Sequence, residues 1–499
     1  MRMRNLESRK REEELRQIKK EQKQKAKKKK AKKARNREYA IVSYFFVAIF
    51  VALIGYLVYF NALKSEEFIN SPYNKRQDTF ADRVIRGKLL SADGESLAYT
   101  ETAEDGSETR VYPYDDLFAH VVGYTEKGKS GLESLANFQL LTSHEGYLGQ
   151  MQKAFKGEKV IGDNVITTLD TSLQRAAYDA LGDYNGAVVV MEPKTGKILA
   201  MVSKPDFNPN HLADNWDELV SDDSNSSLLN RATQGAYPPG STFKIVTSLA
   251  YLREHGTLDG FSFDCQGSIT VGEHTIHCYN DTVHGQEDFA TAFAKSCNSA
   301  FAQIGLDLGA GALKSASEDL LFNKKLPVDL TYRKSRFSLD SSAGKPLLMQ
   351  TSIGQGNTLV SPMHMALITS AVANEGELMT PYLMDRVEND NEDKVSETEP
   401  ETYKRLMSVK EADTLKELMI DVVENGTAKK LNGQGYTAAG KTGSAEYDQG
   451  GERQTHSWFV GFSNVEDPDI VVSVIAEGAG TGSEAAVPIA RAVFNEYYY

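Results

Sequence analysis

No charged residue occurs between Tyr39 and Leu63, and this stretch constrains the chain more than any other feature. Its 25 positions are mostly Ile, Val, Leu, Phe, Tyr and Ala. As a helix rising 1.5 Å per residue it reaches about 37 Å, enough to cross a hydrocarbon core of about 30 Å. A cleavable signal peptide has an apolar run of about 7–15 residues that ends in small residues. This run is longer and ends in Asn61-Ala62-Leu63-Lys64, which predicts a retained, single membrane anchor.

Charge divides at the same place. Of the 56 Lys/Arg and 69 Asp/Glu in 499 residues, residues 1–37 hold 18 and 5, a net of +13. The remainder carries 38 basic and 64 acidic residues, a net of −26. The basic stretch before the anchor is expected to stay in the cytoplasm by the positive-inside rule, with everything after Lys64 exported. Its simplest role is to fix topology, with some attraction to anionic lipid. So acidic a body excludes nucleic acid as a partner. With 40% hydrophobic residues, 39 Gly and 14 Pro, the chain has neither a collagen-like nor a many-span composition. Three cysteines exclude a disulfide-dense scaffold.

The expected organisation is a basic tail (1–38), an anchor (39–63), a small mixed segment (64–163) and a larger domain (164–499). In the last, Val165–Leu169 reads as a strand, with Asp170 or Thr171 capping a helix over Ser172–Leu181. Two apolar β runs, Ala187–Met191 and Ile198–Val202, flank a turn at Glu192–Lys197. Near the other end, Ser457–Phe462 and Ile470–Ala476 are strand candidates and Ala485–Tyr498 a helix. Helical patterns at Thr242–Glu254 and Ala290–Leu308 lie between. This order predicts one α/β domain whose sheet unites both ends of a long segment.

Three short motifs carry the chemistry. Ser241-Thr242-Phe243-Lys244 follows Tyr237-Pro238-Pro239-Gly240 and opens an apolar run, placing Ser241 at a helix start with Lys244 on the same face. A serine hydroxyl becomes a nucleophile when a nearby base takes its proton, and a buried amine can do so. A helix start also offers free N–H groups to a developing oxyanion. Ser296-Cys297-Asn298 falls inside the second helical pattern. Lys441-Thr442-Gly443-Ser444 follows the small residues Ala438-Ala439-Gly440. Copies of two motifs occur at Ser342–Lys345 and Lys194–Gly196; these read as a loop and as the hairpin turn. The main set recurs in a fixed order, 55 and then 145 residues apart.

That ordered set is the signature of penicillin-binding proteins and class A β-lactamases. The chain resembles the class B penicillin-binding proteins, small single-pass transpeptidases of bacteria. Arg86-Gly87 with Asp93-Gly94, Gly131-Leu132-Glu133, Thr168-Leu169-Asp170 with Gln174, Gly354-Gln355-Gly356 and Asn425-Gly426-Thr427-Ala428 resemble further family landmarks. The resemblance implies a penicillin-binding, serine β-lactamase-like fold, with a central antiparallel sheet flanked by helices, standing on a small α+β pedestal. It implies that Ser241 forms an acyl-enzyme with a peptidoglycan stem peptide and that Lys244 is the base. Ser296 with Lys441 would relay a proton to the leaving amine, while Asn298 would hold Lys244. Thr442, Gly443 and Ser444 would bind the substrate, with Ser241 and Ser444 N–H groups as oxyanion hole. β-Lactams would trap Ser241. About 100 residues between anchor and catalytic domain leave no room for a glycosyltransferase of roughly 200. A membrane-embedded glycan polymerase of the shape, elongation, division and sporulation type is therefore the implied partner. No module is expected beyond Tyr499, and no cofactor.

Two alternatives keep or drop the chemistry. A D,D-carboxypeptidase or β-lactamase would pass the same acyl group to water; Glu318 precedes Asn323 with one residue too many for the β-lactamase Glu-x-x-x-Asn pattern. A scaffold would instead activate the polymerase. Finally, Cys265, His274, His277, Cys278 and His284 cluster before Ser296. Their spacing matches no tight metal-ligand pair, so no metal is expected. A Cys265–Cys278 disulfide across a hairpin is the leading expectation in an exported domain, with free thiols or a metal as alternatives. Cys297 is expected to be buried.

Overall fold

The computed structural model describes residues 2–63, 84–222, 225–449 and 452–499. It forms two compact units, Met1–Asn74 and Lys75–Tyr499. Among its described residues the first contains one helix, α1 (Arg2–Leu63), whose basic half is built from strong helix formers. Within it Tyr39–Phe60 is long and apolar enough to span a membrane, and Phe45, Phe46 and Phe50 are exposed. An apolar helix with uncovered phenylalanines suits lipid rather than water. The first part of the expected pedestal, 64–83, lies outside the described residues.

In the second unit a six-stranded sheet runs Lys394–Glu397, Met384–Glu388, Asn164–Thr167, Leu89–Leu90, Ser96–Thr102, Glu108–Val111. A late hairpin thus returns to pair with Asn164–Thr167, which in turn pairs with Leu89–Leu90, so the sheet is continuous across position 164. Beside it Glu133, fully buried, is gripped by Arg86 Nη2 at 2.6 Å and Arg110 Nε at 2.7 Å. The two guanidinium groups hold the Glu133 carboxyl below its usual range despite the burial that pushes it up. Glu133→Ala leaves two nearly buried cations without their anion. A loss of about 3–5 kcal/mol is expected, measured by denaturant unfolding; a loss under about 1 kcal/mol would show that the triad is not a structural tie.

The second sheet has strands β1 (Gly186–Met191), β2 (Ile198–Lys204), β3 (Ala438–Gln449), β4 (Glu452–Ser463) and β5 (Val471–Ala476). All pairings are antiparallel in the order β3-β4-β5-β1-β2, and the β5–β1 pairing joins the two ends of the segment. β1 and β5 are buried at every position, so both faces are covered. The principal helices are α2 (Thr171–Leu181), α3 (Lys244–His255), α4 (Asn298–Asp319), α5 (Pro362–Ala373) and α6 (Ala486–Tyr498). Asp170 caps α2 by accepting from the Leu173 N–H. α2 and α6 pack on each other and α6 also on β4 and β5, while α5 packs against β1, β4 and β5. The central sheet therefore leaves one long edge open, that of β3.

The expected helix over Ala290–Leu308 is not continuous. Phe289–Ala294 and Asn298–Asp319 are separate helices, and Ser296 between them has φ +60°. Cys297 accepts the Ala300 N–H and so starts α4 anew. Hydropathy periodicity is blind to such a break because apolar residues resume on the same rhythm after it.

Candidate active site

Ser241 is set by its backbone. Gly240 has φ +54°, and a Cβ there would sit 2.7 Å from the Ser444 carbonyl oxygen. A Cβ on Gly354 would come within 1.9 Å of the Gly240 oxygen. Two glycines therefore let three segments converge on one turn. Trp458, wholly buried, donates its indole N–H to the Pro238 carbonyl at 3.0 Å and ties that turn to β4. Ser241 itself lies in a 3₁₀ turn, Gly240–Phe243, and α3 begins only at Lys244.

Lys244 and Lys441 are both fully buried. The Lys244 Nζ donates to the Ser296 carbonyl at 2.7 Å, to Asn298 Oδ1 at 2.9 Å and to Ser296 Oγ at 3.2 Å. Lys441 Nζ reaches the same Ser296 Oγ at 2.9 Å. Each amine stands over an aromatic ring: Lys244 Nζ is 5.2 Å from the Phe301 centroid and Lys441 Nζ 5.5 Å from that of Phe293. Desolvation lowers Lys244 to about 8. Lys441 falls well below its ordinary value through desolvation and then repulsion from Lys244. One hydroxyl thus bridges two amines that resist being charged together.

β3 supplies the other wall. Ser241, Ser296, Asn298, Thr442, Gly443 and Ser444 all line one open cleft of about 1100 Å³. A Cβ on Gly443 would meet Trp458 at 2.9 Å and Thr242 at 3.0 Å, so that position brings β3 against the Ser241 turn. Asn298 donates its side-chain amide to the His277 carbonyl at 3.0 Å. The three motifs therefore meet in one place, although Lys244 and Lys441 are 197 positions apart in the chain. Ser342 and Lys194 are exposed and line no part of this cleft. A short helix, Lys345–Ser352, does follow Ser342, with Pro346 in its first turn. Glu318 lies outside the cleft, 3.9 Å from Lys314 on α4.

Sequence reasoning gave no site role to two contributors. Thr427 Oγ1 lies 2.5 Å from Thr442 Oγ1 and fixes that hydroxyl at the cleft wall. Gly482 passes over β3, where a Cβ would fall 2.8 Å from the Gly443 oxygen. The signal was present as the small-residue run Gly478-Ala479-Gly480-Thr481-Gly482, which marks a close backbone approach.

The Cys265–Cys278 disulfide is corrected. All three cysteines are free thiols, and the Cys265 and Cys278 sulfurs are 3.7 Å apart, far beyond the S–S bond length of about 2.05 Å. The hairpin is as expected, Ser268–Val271 pairing with His274–His277, but Cys265 and Cys278 lie just outside its strands.

A serine at a helix entry, two buried amines sharing a hydroxyl, and an open strand edge define an acyl-transfer site. Comparison with known proteins agrees. The model of the penicillin binding protein transpeptidase domain matches residues 186–495, and that of the penicillin binding protein A dimerisation domain residues 86–165. Peptidoglycan D,D-transpeptidase PbpA of Mycolicibacterium smegmatis is 34% identical over 489 residues, covering 89% of this chain and 96% of that protein. The ceftriaxone acyl-enzyme of penicillin-binding protein A from M. tuberculosis superposes with TM-score 0.77 at 31% identity, covering 84% of this chain and 99% of that one. The D,D-transpeptidase domain of an Eggerthella lenta peptidoglycan glycosyltransferase gives 0.75 at 32%, covering 83% and 98%. The chain belongs to the penicillin-binding protein transpeptidase family, as a class B penicillin-binding protein with one candidate membrane helix among the described residues.

Proposed function

We propose that this chain is a peptidoglycan D,D-transpeptidase that cross-links stem peptides through an acyl-enzyme on Ser241. The observation that carries this reading is the Ser296 hydroxyl held between two buried lysines at 3.2 and 2.9 Å beside the Ser241 cleft. A stem peptide lies along the open edge of β3 as an added strand. Its terminal carboxylate meets Thr442 and Ser444 and stabilises charge on Lys441, which leaves Lys244 neutral. Lys244 takes the Ser241 proton as Oγ bonds to the penultimate D-Ala carbonyl carbon. The oxyanion rests on the Ser241 and Ser444 N–H groups. As the C–N bond breaks, Ser296 passes a proton from the lysine pair to the departing D-Ala amine. An amine of a neighbouring stem then attacks the ester, loses its proton to the same relay, and restores Ser241. A β-lactam carbonyl enters by the first half of this path.

Residues 64–163 serve as pedestal and 164–499 as the transpeptidase. With the lysine-rich tail retained in the cytoplasm, the catalytic body works on the outer side of the membrane. Glycan strands come from a membrane-embedded polymerase of the shape, elongation, division and sporulation type.

The test uses the full chain in detergent. Penicillin should add one drug mass that persists for many minutes. A D-Ala-D-Ala peptide with an amine acceptor should release one D-Ala for each acceptor captured. Hydrolysis without capture would make the enzyme a carboxypeptidase, and rapid loss of the adduct a β-lactamase. No adduct on folded protein would overturn the acyl-serine reading.

The pH dependence is a further expectation. Lys244 must be neutral to accept a proton, and its pKa is lowered to about 8. Acylation by penicillin should therefore climb about tenfold per unit below pH 8 and level off above it. Stopped-flow rates between about pH 6 and 9 decide this; a flat profile would remove Lys244 as the base.

A further inference from the structure

One short segment carries charge opposite to that of the domain around it. Beyond residue 37 the chain holds 38 basic against 64 acidic residues, yet 322–336 holds five basic and one acidic. Lys324, Lys325, Arg333, Lys334 and Arg336 are all exposed, and among the described residues none of them makes an ion pair. The carboxylates near them in the chain are engaged or turned elsewhere. Asp319 pairs with Arg253 at 2.8 Å, and Asp340 accepts from the Ser342 N–H at 2.8 Å and from its hydroxyl at 2.5 Å. Asp329 lines a separate crevice with Tyr382, Glu399 and Glu401.

The backbone gathers the five cations on one face. After α4, Leu321 and Asn323 take left-handed φ values of +72° and +60°, which turn the chain sharply. The Asn323 N–H then donates to the Ser335 carbonyl at 2.9 Å. Its side chain donates to the Phe337 carbonyl at 2.8 Å and accepts the Phe337 N–H at 3.1 Å. This clamp lays Lys324 and Lys325 beside the extended segment that carries Arg333, Lys334 and Arg336. There exposure alternates: Lys334, Arg336 and Ser338 face outward, while Ser335, Phe337 and Leu339 are buried. Two positions along an extended chain put Lys334 and Arg336 about 7 Å apart. Phe322 and Phe337 anchor both limbs of the clamp, their rings 5.8 and 6.0 Å from that of Phe243, which lies between Ser241 and Lys244. Arg336 exchanges backbone hydrogen bonds with Leu359 at 2.8 and 2.9 Å, three residues beyond Gly356, which lines the Ser241 cleft. The cationic face therefore begins beside the cleft.

We propose that Lys324, Lys325, Arg333, Lys334 and Arg336 dock a linear phosphodiester polymer that lies beside the glycan strands, and hold it next to the Ser241 cleft. This rests on the exported, wall-facing catalytic body proposed above. Repeated cations on a fixed extended segment suit a polymer with evenly spaced charges, and the two arginines offer planar forks that fit phosphate oxygens. A bilayer surface fits less well. Among the described residues no large apolar side chain is exposed between Val283 and Tyr403, so nothing on this face would enter lipid. The rest of the acidic body repels the same polymer, which confines binding to this face. The polymer keeps the enzyme where substrate strands are dense, raising their effective concentration at the cleft.

The test titrates full-length protein in neutral detergent with a synthetic glycerol phosphate oligomer and locates the contact by hydrogen exchange. Protection should appear over 323–337. Replacing the five together (Lys324→Gln, Lys325→Gln, Arg333→Gln, Lys334→Gln and Arg336→Gln) should raise the oligomer concentration for half-protection about tenfold to a hundredfold at about 50 mM salt. By about 500 mM salt that difference should be gone. Because all five side chains are exposed, melting and penicillin acylation should stay parental. Protection confined to the basic tail, or equal protection in the variant, would overturn the proposal. Equal affinity for polyglutamate of matched charge would refute the preference for phosphodiesters. Binding to phosphatidylglycerol vesicles that the oligomer fails to displace would assign the face to the membrane instead. A parent that binds the oligomer but is not acylated would sink only the acyl-serine reading, and acylation without oligomer binding only this one.

Discussion

Replacing Ser241 by alanine will abolish the penicillin adduct and reduce D-Ala release by about 10⁴-fold or more, since loss of an activated nucleophile forfeits nearly the whole covalent route. Ser241 is half-buried in a turn fixed by Gly240, Gly354 and Trp458, none of which depends on its hydroxyl. The variant should therefore melt within about 2 °C of the parent. Intact-mass spectra of parent and variant after penicillin, with peptide mapping of the adduct, read both results. A full-strength adduct on the variant, mapped to another residue, would refute the assignment.

Lys244→Met should be the next most damaging change. It keeps the side-chain volume but removes the amine that contacts Ser296 and Asn298, and acylation should fall by about 10²–10⁴-fold. The rise towards pH 8 should vanish with it. Lys441 loses the repulsion that helps to lower it, so its pKa should move up. Three acceptors, the Ser296 carbonyl and hydroxyl oxygens and Asn298 Oδ1, lose a charged donor, at a cost of about 1–3 kcal/mol, partly offset because no amine is then buried at that position. Acylation kinetics across pH decide the matter, with a cooperative melt as control for folding. A variant that acylates at the parental rate would assign the base elsewhere.

Much of this site was legible because its chemistry is carried by short segments. Ser241 to Lys244 is a local spacing, and so is Ser296 to Asn298. Neither says that Lys441 would reach the same hydroxyl as Lys244, which is a fact of strand order. Nor could spacing alone separate Lys441-Thr442-Gly443 from Lys194-Thr195-Gly196; the second sits in the β1–β2 turn, where Lys194 pairs with Asp467. The helix through Ser296 was misjudged because apolar periodicity continues across the break. The disulfide was misjudged because a hairpin brings two cysteines near each other, yet leaves their sulfurs 3.7 Å apart. Thr427 was visible as a landmark but its hydroxyl contact was not.

The amino-acid sequence by itself determined the apolar helix long enough to span a membrane, the split between basic tail and acidic body, the two sheet-forming ends, and the local spacings of Ser241 to Lys244 and Ser296 to Asn298. These rest on composition, period and contacts within a few residues. The tertiary structure alone decided which of the duplicate motifs enters the cleft and how two buried lysines come to share Ser296. Each of these depends on segments tens to hundreds of residues apart. What joins them is the burial of β1 and β5 between helices and the close approaches allowed by Gly240, Gly354 and Gly443.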